Sequence, residues 1–226
     1  MAKNKIAVFD IDGTIFRSSW LIELDLKLIE QGIFPVRALK DVDKSYHNWL
    51  DRKGSYEDYL RGMVDIYKKN IRGHKEKDVR RIIRQIMQRQ KERVYIYTRD
   101  LLNKLHKDYF LLAISGSPLE VIEDFARFWG FDLFYGQVYE VRNGRYTGEI
   151  LKSPYDNKKE ALFACLSQIN IGLKGSIGVG DTESDISFLE EVDHPICFNP
   201  NQKLLKVACR RGWKVVVERK DVVHVL

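Results

Sequence analysis

Short apolar runs alternate with amphipathic stretches along most of this chain. Apolar runs typical of buried strands lie at 6–9, 110–114, 176–179, 195–198 and 213–217. Segments with helical spacing lie between them, at 119–129, 158–169, 184–192 and 201–211. This alternation predicts an α/β fold, in which helices cover both faces of a mostly parallel sheet. Residues 138–141 and 145–150 flank Asn143-Gly144, and this pattern predicts a hairpin within the series.

The stretch from residue 17 to about residue 91 follows a different pattern. Leu21, Leu24 and Leu28 fall on one helical face, and residues 79–87 show a second apolar face. Ser55 is a candidate helix cap, and Gly73 is a candidate break between two helices. We therefore predict a helical module inserted directly after the first strand, with the sheet resuming near Tyr95.

Composition limits the class of protein. The 226 residues are 44% hydrophobic and 31% charged, which suits one large domain or one domain with a smaller insert. The chain has no apolar run near the roughly 18 residues of a membrane helix, so we expect no transmembrane segment. Cys165, Cys197 and Cys209 lack metal-site spacing. They are expected to be reduced thiols, and a cytoplasmic location is expected with them.

Positive charge is concentrated in one region. Residues 61–107 hold 15 Lys and Arg against 5 Asp and Glu, within a chain of net charge +6. A solvated helix face is the favoured interpretation. An electrostatic funnel for an anionic substrate is an alternative. A nucleic-acid surface is the third possibility, although no recognised binding motif accompanies the charge.

Two carboxylates stand where the first predicted strand ends. Asp10 and Asp12 are followed directly by Gly13 and Thr14. Ligands bind at the carboxyl ends of strands in open α/β sheets. Two acids held there repel each other unless a cation lies between them or one stays protonated. An ordinary Asp-Gly turn is the alternative for this segment alone.

Three later segments offer partners for these acids. Ser115 and Gly116 follow the second strand before a helix, where a hydroxyl and free N–H groups suit a phosphate. Asp181 and Asp185 follow the third apolar strand, although acids there could simply cap a helix. Lys158 opens a helix, where a cation opposes the helix dipole, and this indicates another role for it or for the adjacent lysine.

Together these segments resemble the four ordered motifs of the haloacid dehalogenase superfamily. The motifs correspond to Asp10-Ile11-Asp12-Gly13-Thr14, Ser115, Lys158, and Gly180-Asp181 with Asp185. The hairpin, the Ser-Gly-Ser-Pro segment and the helical insert resemble subfamily IB, which includes phosphoserine phosphatase. The resemblance implies a Rossmann-like three-layer α/β/α core at 1–16 and 92–226, with an all-helical type I cap at 17–91.

The same resemblance implies a chemistry. It implies Mg²⁺ as cofactor, an aspartyl-phosphate intermediate on Asp10, and Asp12 as general acid and base. An acid at Asp12 favours a phosphatase over a dehalogenase, because a halide leaves without a proton. The implied catalytic residues are Asp10, Asp12 and Lys158; the substrate-binding residues are Thr14, Ser115 and Gly116; the metal-binding residues are Asp10, Asp12, Asp181 and Asp185.

The substrate expected from this comparison is a small phosphorylated metabolite other than phosphoserine. The position at which phosphoserine phosphatases carry a Glu for the amino group is Ser19 here. Their carboxylate-binding Arg aligns with Met63, with Arg61 nearby. The aromatic residues of the insert are expected to form its core rather than a substrate wall. A phosphotransferase on the same fold is the main alternative, a non-catalytic nucleic-acid-binding module is the least favoured, and a monomer or homodimer is expected.

Overall fold

One eight-stranded sheet forms the centre of the computed structural model, which describes residues 3–155 and 157–226. The strands are β1 (Lys5–Phe9), β2 (Tyr109–Pro118), β3 (Leu133–Arg142), β4 (Arg145–Lys152), β5 (Ile177–Gly180), β6 (His194–Phe198), β7 (Lys214–Arg219) and β8 (Val222–Val225). Their order is β4-β3-β2-β1-β5-β6-β7-β8. Neighbours from β3 to β7 pair in parallel, and the two edge strands pair antiparallel. The predicted mostly parallel sheet is confirmed.

Helices pack on both faces of the sheet. They are α1 (Trp20–Glu30), α2 (Asp43–Leu50), α3 (Tyr56–Ile71), α4 (Glu76–Gln90), α5 (Ile96–Leu105), α6 (Leu119–Phe128), α7 (Lys158–Leu166), α8 (Ile186–Leu189) and α9 (Gln202–Arg211), with 3₁₀ turns at Val36–Asp41 and Glu183–Asp185. Alternate side chains of β1 point to opposite faces. Ile6 and Val8 enter a core with α7, α8 and α9, whereas Ala7 and Phe9 enter a core with α1, α3, α4 and α6. The three-layer architecture is therefore as predicted.

Helices fill the chain between β1 and β2. The hydroxyl of Ser55 accepts a hydrogen bond from the Asp58 N–H at 3.1 Å and so caps α3, as predicted. Gly73 has φ +84° and separates α3 from α4. A backbone with this positive φ suits glycine, which carries no Cβ. The predicted helical insertion is confirmed in its secondary structure.

The expectation that the sheet resumes near Tyr95 is wrong. Residues Ile96–Leu105 form α5, and the next strand begins at Tyr109. Thr98, Leu102 and Leu105 are buried on one face of this helix. The Glu218 carboxylate of β7 accepts hydrogen bonds from the N–H groups of Ile96 and Tyr97 at 3.1 and 2.9 Å. This long-range capping starts the helix in a segment whose β-branched and aromatic residues favour a strand.

Other elements also differ from the sequence-based prediction: β2 continues to Pro118 rather than ending at residue 114, and β3 begins at Leu133 rather than at residue 138. The helix that begins at Lys158 ends at Leu166 rather than at residue 169. The helix expected at 184–192 is a 3₁₀ turn followed by the four-residue α8. The edge strand β8 was not predicted, and all four of its residues are exposed. An edge strand without a buried face carries no period-two apolar pattern.

Surface features complete the description. None of the described helices combines the length and apolarity needed to cross a membrane. Cys165 and Cys197 are buried free thiols, and Cys209 is an exposed one. On α4, basic residues such as Arg81 and Arg84 are exposed, while Ile82 and Ile83 are buried.

Candidate active site

The sheet brings the four predicted segments to one edge. β1 lies between β2 and β5, and all three strands run in the same direction. The Asp10 N–H continues the ladder by donating to the Val179 carbonyl at 2.9 Å. Asp10 and Asp181 follow β1 and β5 directly, and Ser115 lies near the end of β2, so the three residues converge at the carboxyl end of the sheet. This is where ligands bind in open α/β folds.

Lys158, the first residue of α7, connects the first and last segments. Its Nζ donates to Asp10 Oδ1 at 2.5 Å and to Asp185 Oδ1 at 2.6 Å, with the lysine only 2% exposed. Burial lowers the pKa of Lys158, but the two carboxylates outweigh that effect and raise it above its ordinary value. The adjacent Lys159 binds Glu191 at the surface instead, at 2.6 Å. The structure thus distinguishes the two lysines.

Asp185 is held in place from both of its oxygens. Oδ1 accepts from Lys158, and Oδ2 accepts from the N–H groups of Asp181 and Thr182 at 2.9 and 3.0 Å. Gly180 makes room for it, since a Cβ there would lie 2.5 Å from the Asp185 Cβ. Asp185 therefore orients Lys158 and the loop that carries Asp181, and its oxygens are already engaged.

The carboxylate oxygens gathered at this edge of the sheet suit a divalent cation. Carboxylate oxygens of Asp10, Asp181 and Asp185 lie within 4.8 Å of one another, and the buried Asp10 Oδ2 has no hydrogen-bond partner among residues 3–155 and 157–226. Burial raises the pKa of Asp10 to about 7, and it raises the pKa of Asp181 well above the ordinary range. Hard oxygen donors of this kind are the ligands that Mg²⁺ prefers. The residues present fit such an ion.

Asp12 lies beside this acidic cluster in a separate hydrogen-bond network. Its Oδ2 accepts from the hydroxyls of Ser115 and Ser117 at 2.5 and 2.9 Å, and its Oδ1 accepts from the Trp20 N–H at 2.6 Å. Burial raises the pKa of the Asp12 carboxyl, while these hydrogen bonds oppose the rise. The network fixes the orientation of a carboxyl group whose environment favours holding a proton.

Ser117 is a site residue that the sequence analysis did not assign to the site. Its hydroxyl donates to Asp12 and accepts from the Leu21 N–H at 3.1 Å. The first turn of α1 has no cap from its own N-terminal residue, Ser19. Asp12 and Ser117 therefore satisfy two N–H groups that a helix start leaves open. The spacing of two residues between Ser115 and Ser117 along β2 is the signal that places both hydroxyls near one carboxylate.

The two small residues after Asp12 are tightly enclosed. Gly13 has φ +80°, and a Cβ there would lie 2.2 Å from Asp181 Oδ2. Thr14 is fully buried, and its Oγ1 has no hydrogen-bond partner among the described residues. Thr14 and Ser115 are absent from the lining of the cleft described next, whereas Gly116 is part of it. The structure thus packs the backbone of this segment directly against Asp181.

A cleft of about 560 Å³ opens from the acids toward the helical insertion. Asp10, Asp12, Lys158 and Asp181 line its inner end. One helix, α3, supplies most of the opposite wall, through Tyr56, Glu57, Leu60, Arg61, Val64, Asp65 and Lys68. Tyr56 both lines this cleft and packs against the core, whereas Trp20 is fully buried, as expected for an aromatic residue of the insert.

Comparison with protein families shows which family the chain belongs to. The family described as haloacid dehalogenase-like hydrolases matches residues 7–190, a span that includes every segment of the site. The chain belongs to this family. The predicted resemblance to the haloacid dehalogenase hydrolases is thereby confirmed, and the chain is a hydrolase by its family.

Individual relatives agree with this membership. A protein of Mycobacterium tuberculosis strain H37Rv described as a probable phosphatase is 26% identical over 215 residues, covering 93% of this chain and 74% of its own. A Bordetella pertussis protein of unknown function shares the fold with a TM-score of 0.74 and 21% identity, covering 95% of this chain and 98% of its own. A phosphoserine phosphatase with a phospho-aspartyl intermediate analogue has a TM-score of 0.64 and 19% identity, with coverages of 97% and 96%.

Proposed function

We propose that this haloacid dehalogenase-like hydrolase is a Mg²⁺-dependent phosphatase that hydrolyses a small phosphomonoester through an aspartyl-phosphate on Asp10. The observation that carries the proposal is the buried ion pair of Lys158 with Asp10, in which the second oxygen of the same carboxylate, Oδ2, has no hydrogen-bond partner in the described part of the chain. Oδ1 of Asp10 binds the Lys158 ammonium group, and Oδ2 is left for the acidic cluster with Asp181 and Asp185. The phosphatase description of the Mycobacterium tuberculosis relative supports the same activity.

The metal ligands in this proposal are Asp10, Asp181 and the backbone carbonyl of Asp12. Asp185 positions the site through its hydrogen bonds with Lys158 and the Asp181 N–H. The carbonyl is assigned from the family resemblance. A bound Mg²⁺ would offset the charge of the phosphate oxygens, which otherwise repel an anionic nucleophile. Lys158 adds a second fixed positive charge next to the attacking carboxylate. The Gly116 N–H, at a residue that lines the cleft, is proposed to hold the phosphate, and the same role for Ser115 and Thr14 stays a prediction, since neither lines the cleft.

Two displacements complete the proposed reaction. An Asp10 oxygen attacks phosphorus, the bond from phosphorus to the ester oxygen breaks, and Asp12 gives its proton to the departing alkoxide. Asp12 then takes a proton from water, which attacks the aspartyl-phosphate and releases inorganic phosphate with Asp10 restored. Burial of Asp12 supports this role, because it favours the protonated carboxyl that the first displacement requires.

Residues 17–91 are proposed to act as a cap over this reaction, with 1–16 and 92–226 as the core. The two connections lie side by side, since the Arg17 N–H donates to the Arg93 carbonyl at 3.0 Å and Phe16 bridges to Val94. Two adjacent connecting segments of this kind suit a hinge that closes a lid during catalysis. A cytoplasmic location and a monomer or homodimer stay predictions.

The substrate is proposed to be a phosphorylated metabolite other than phosphoserine. Ser19 lines the cleft at the position where phosphoserine phosphatases carry an acid. Met63 is fully buried in the core and offers no contact with a carboxylate. Arg61 does line the cleft, but it also binds Glu57 at 3.3 Å.

Release of phosphate from p-nitrophenyl phosphate tests the function. We expect turnover with Mg²⁺ and none after removal of the metal with EDTA. Activity that is indifferent to EDTA would contradict the proposed metal role. A phosphotransferase is distinguished by product analysis with added alcohols, since appearance of a new phosphate ester in place of inorganic phosphate marks transfer.

Substitution of Gly13 tests the metal site. We expect Gly13→Ala to raise the Mg²⁺ concentration for half-maximal activity at least tenfold, a loss of about 1.4 kcal/mol in binding. The new methyl would overlap Asp181 Oδ2 and displace a proposed ligand. Gly73→Ala is the matched control, since Gly73 has a similar positive φ and an added Cβ there would have no described neighbour within 4 Å. Equal Mg²⁺ dependence in the two variants would refute the assignment.

Substitution of Ser117 tests the proton donor. We expect Ser117→Ala to slow ethyl phosphate hydrolysis about tenfold more than p-nitrophenyl phosphate hydrolysis, because nitrophenolate leaves without a proton and general acids contribute about 10² to 10⁴ in rate. The ratio of kcat/KM for the two esters is the measurement. Ser153→Ala is the control, because Ser153 lines the same cleft and hydrogen-bonds to Gln137 rather than Asp12. An unchanged ratio in the Ser117 variant would show that this serine does not position Asp12.

A further inference from the structure

The outer part of the cleft has an apolar wall that the proposed chemistry does not use. Tyr56, Leu60 and Val64 lie at intervals of four residues and so share one face of α3. All three are half-buried and line the cleft. Eight residues of helix span roughly 12 Å, which sets the length of this wall. Ile150 of β4 and Leu21 of α1 add to the apolar lining.

Tyr155 joins this wall to the phosphate end of the cleft. A Cβ on Gly116 would lie 2.8 Å from Tyr155 Cδ2, so the ring rests directly on the loop proposed to hold phosphate. The Tyr155 hydroxyl donates to Glu57 Oε1 at 2.7 Å, and Arg61 binds the same oxygen. Glu57 is therefore engaged by two donors. The apolar lining begins next to the reacting end and continues along α3.

We propose that the alcohol part of the substrate is an apolar alkyl or aryl group that lies against Leu60, Val64 and Ile150. This inference rests on the proposed phosphatase function and names the class of its substrate. An apolar group would cover side chains that water now contacts, and each buried methylene contributes favourably. A charged group placed directly against these three apolar side chains would lose hydration that they cannot replace.

A series of alkyl phosphates from ethyl to octyl tests the inference. Their leaving alcohols have similar acidity, so changes along the series report contacts rather than chemistry. We expect kcat/KM to rise about threefold to fourfold for each added methylene, as transfer of a methylene from water predicts. An extended octyl chain is shorter than the wall, so the rise should continue through the series. Hexyl phosphate should be a better substrate than phosphoserine. A flat series, or a preference for phosphoserine, would overturn the inference.

Variants of the wall locate the contact. We expect Leu60→Asn to lower the ratio of kcat/KM for hexyl and ethyl phosphate at least fivefold. This ratio does not depend on the fraction of folded enzyme. Leu50→Asn is the matched control, because Leu50 ends α2, is 49% exposed and is absent from the cleft lining. An unchanged ratio in the Leu60 variant would refute the assigned wall.

The two proposals fail in different ways. Absence of phosphate release from every ester, p-nitrophenyl phosphate included, would refute the phosphatase function itself. Phosphate release from all esters without dependence on chain length would leave the phosphatase standing and refute only the apolar subsite.

Discussion

Asp10→Asn should lower the rate of p-nitrophenyl phosphate hydrolysis at least a thousandfold, which corresponds to roughly 4 kcal/mol in activation free energy. The amide has no anionic oxygen to attack phosphorus, and it weakens the contact with Lys158. Steady-state release of phosphate at saturating Mg²⁺ is the measurement. A single-turnover experiment with quenching in acid should find no phosphate attached to the variant protein.

The control for this change is Asp100→Asn, an exposed acid that binds Arg99 at the surface. It should keep full activity, as surface substitutions away from special features have small effects. Both variants should melt cooperatively. If folded Asp10→Asn turns over at a rate near that of the unsubstituted enzyme, Asp10 is not the nucleophile and the proposed intermediate is wrong.

Lys158→Met should destabilise the metal-free protein by about 3 kcal/mol at pH 8, since removal of one partner from a buried ion pair leaves uncompensated charge. Asp10 and Asp185 both lose their donor, and both are buried. Urea denaturation in EDTA measures the free energy of unfolding. Lys159→Met is the control, and it should change that free energy by less than about 0.5 kcal/mol, because Lys159 is exposed.

The pH dependence of this destabilisation has a definite sign. The pKa of Asp10 is about 7 in the folded protein against an ordinary value of 3.8. The contribution of this carboxyl group to stability is therefore lost as the pH rises from about 3.8 to about 7, and above that its ionisation opposes folding. Lys158 lowers this pKa, and its loss raises it further. The difference in stability between the two proteins should therefore shrink as the pH falls from 8 to 5, where the Asp10 carboxyl is protonated in both. An equal difference at all pH values would contradict the buried pair.

The sequence was informative wherever local pattern and topology agree. The apolar run before Asp10 and the later run before Asp181 predict adjacent parallel strands, and the carboxyl ends of such strands share one edge. A cation at a helix start needs another role, which indicated Lys158 or the adjacent lysine, and the family resemblance assigned Lys158 to the site. The structure brings Asp10, Asp12, Ser115, Lys158 and Asp181 to that edge.

The features that the sequence did not predict all depend on contacts between distant segments. The cap that Glu218 provides for α5 joins residues more than a hundred positions apart, so no local pattern reveals it. The face that α3 turns toward the cleft is set by packing of that helix on α1 and β4. Tyr155 contacts Gly116 and Glu57 only after the chain has folded. The positions of these side chains follow from tertiary packing rather than from the secondary-structure propensity of the local sequence.

The start of α1 on Asp12 and Ser117 has a consequence for how variants of this enzyme are interpreted. Asp12 accepts a hydrogen bond from the Trp20 N–H of that helix, in addition to its proposed role toward the leaving group. Asp12→Ala would therefore remove the proposed proton donor and also the hydrogen-bond acceptor at the start of α1. The loss of activity in this variant would combine two causes. Asp12→Asn keeps an oxygen acceptor for Trp20, so the difference between these two variants measures what anchoring of the helix contributes to turnover.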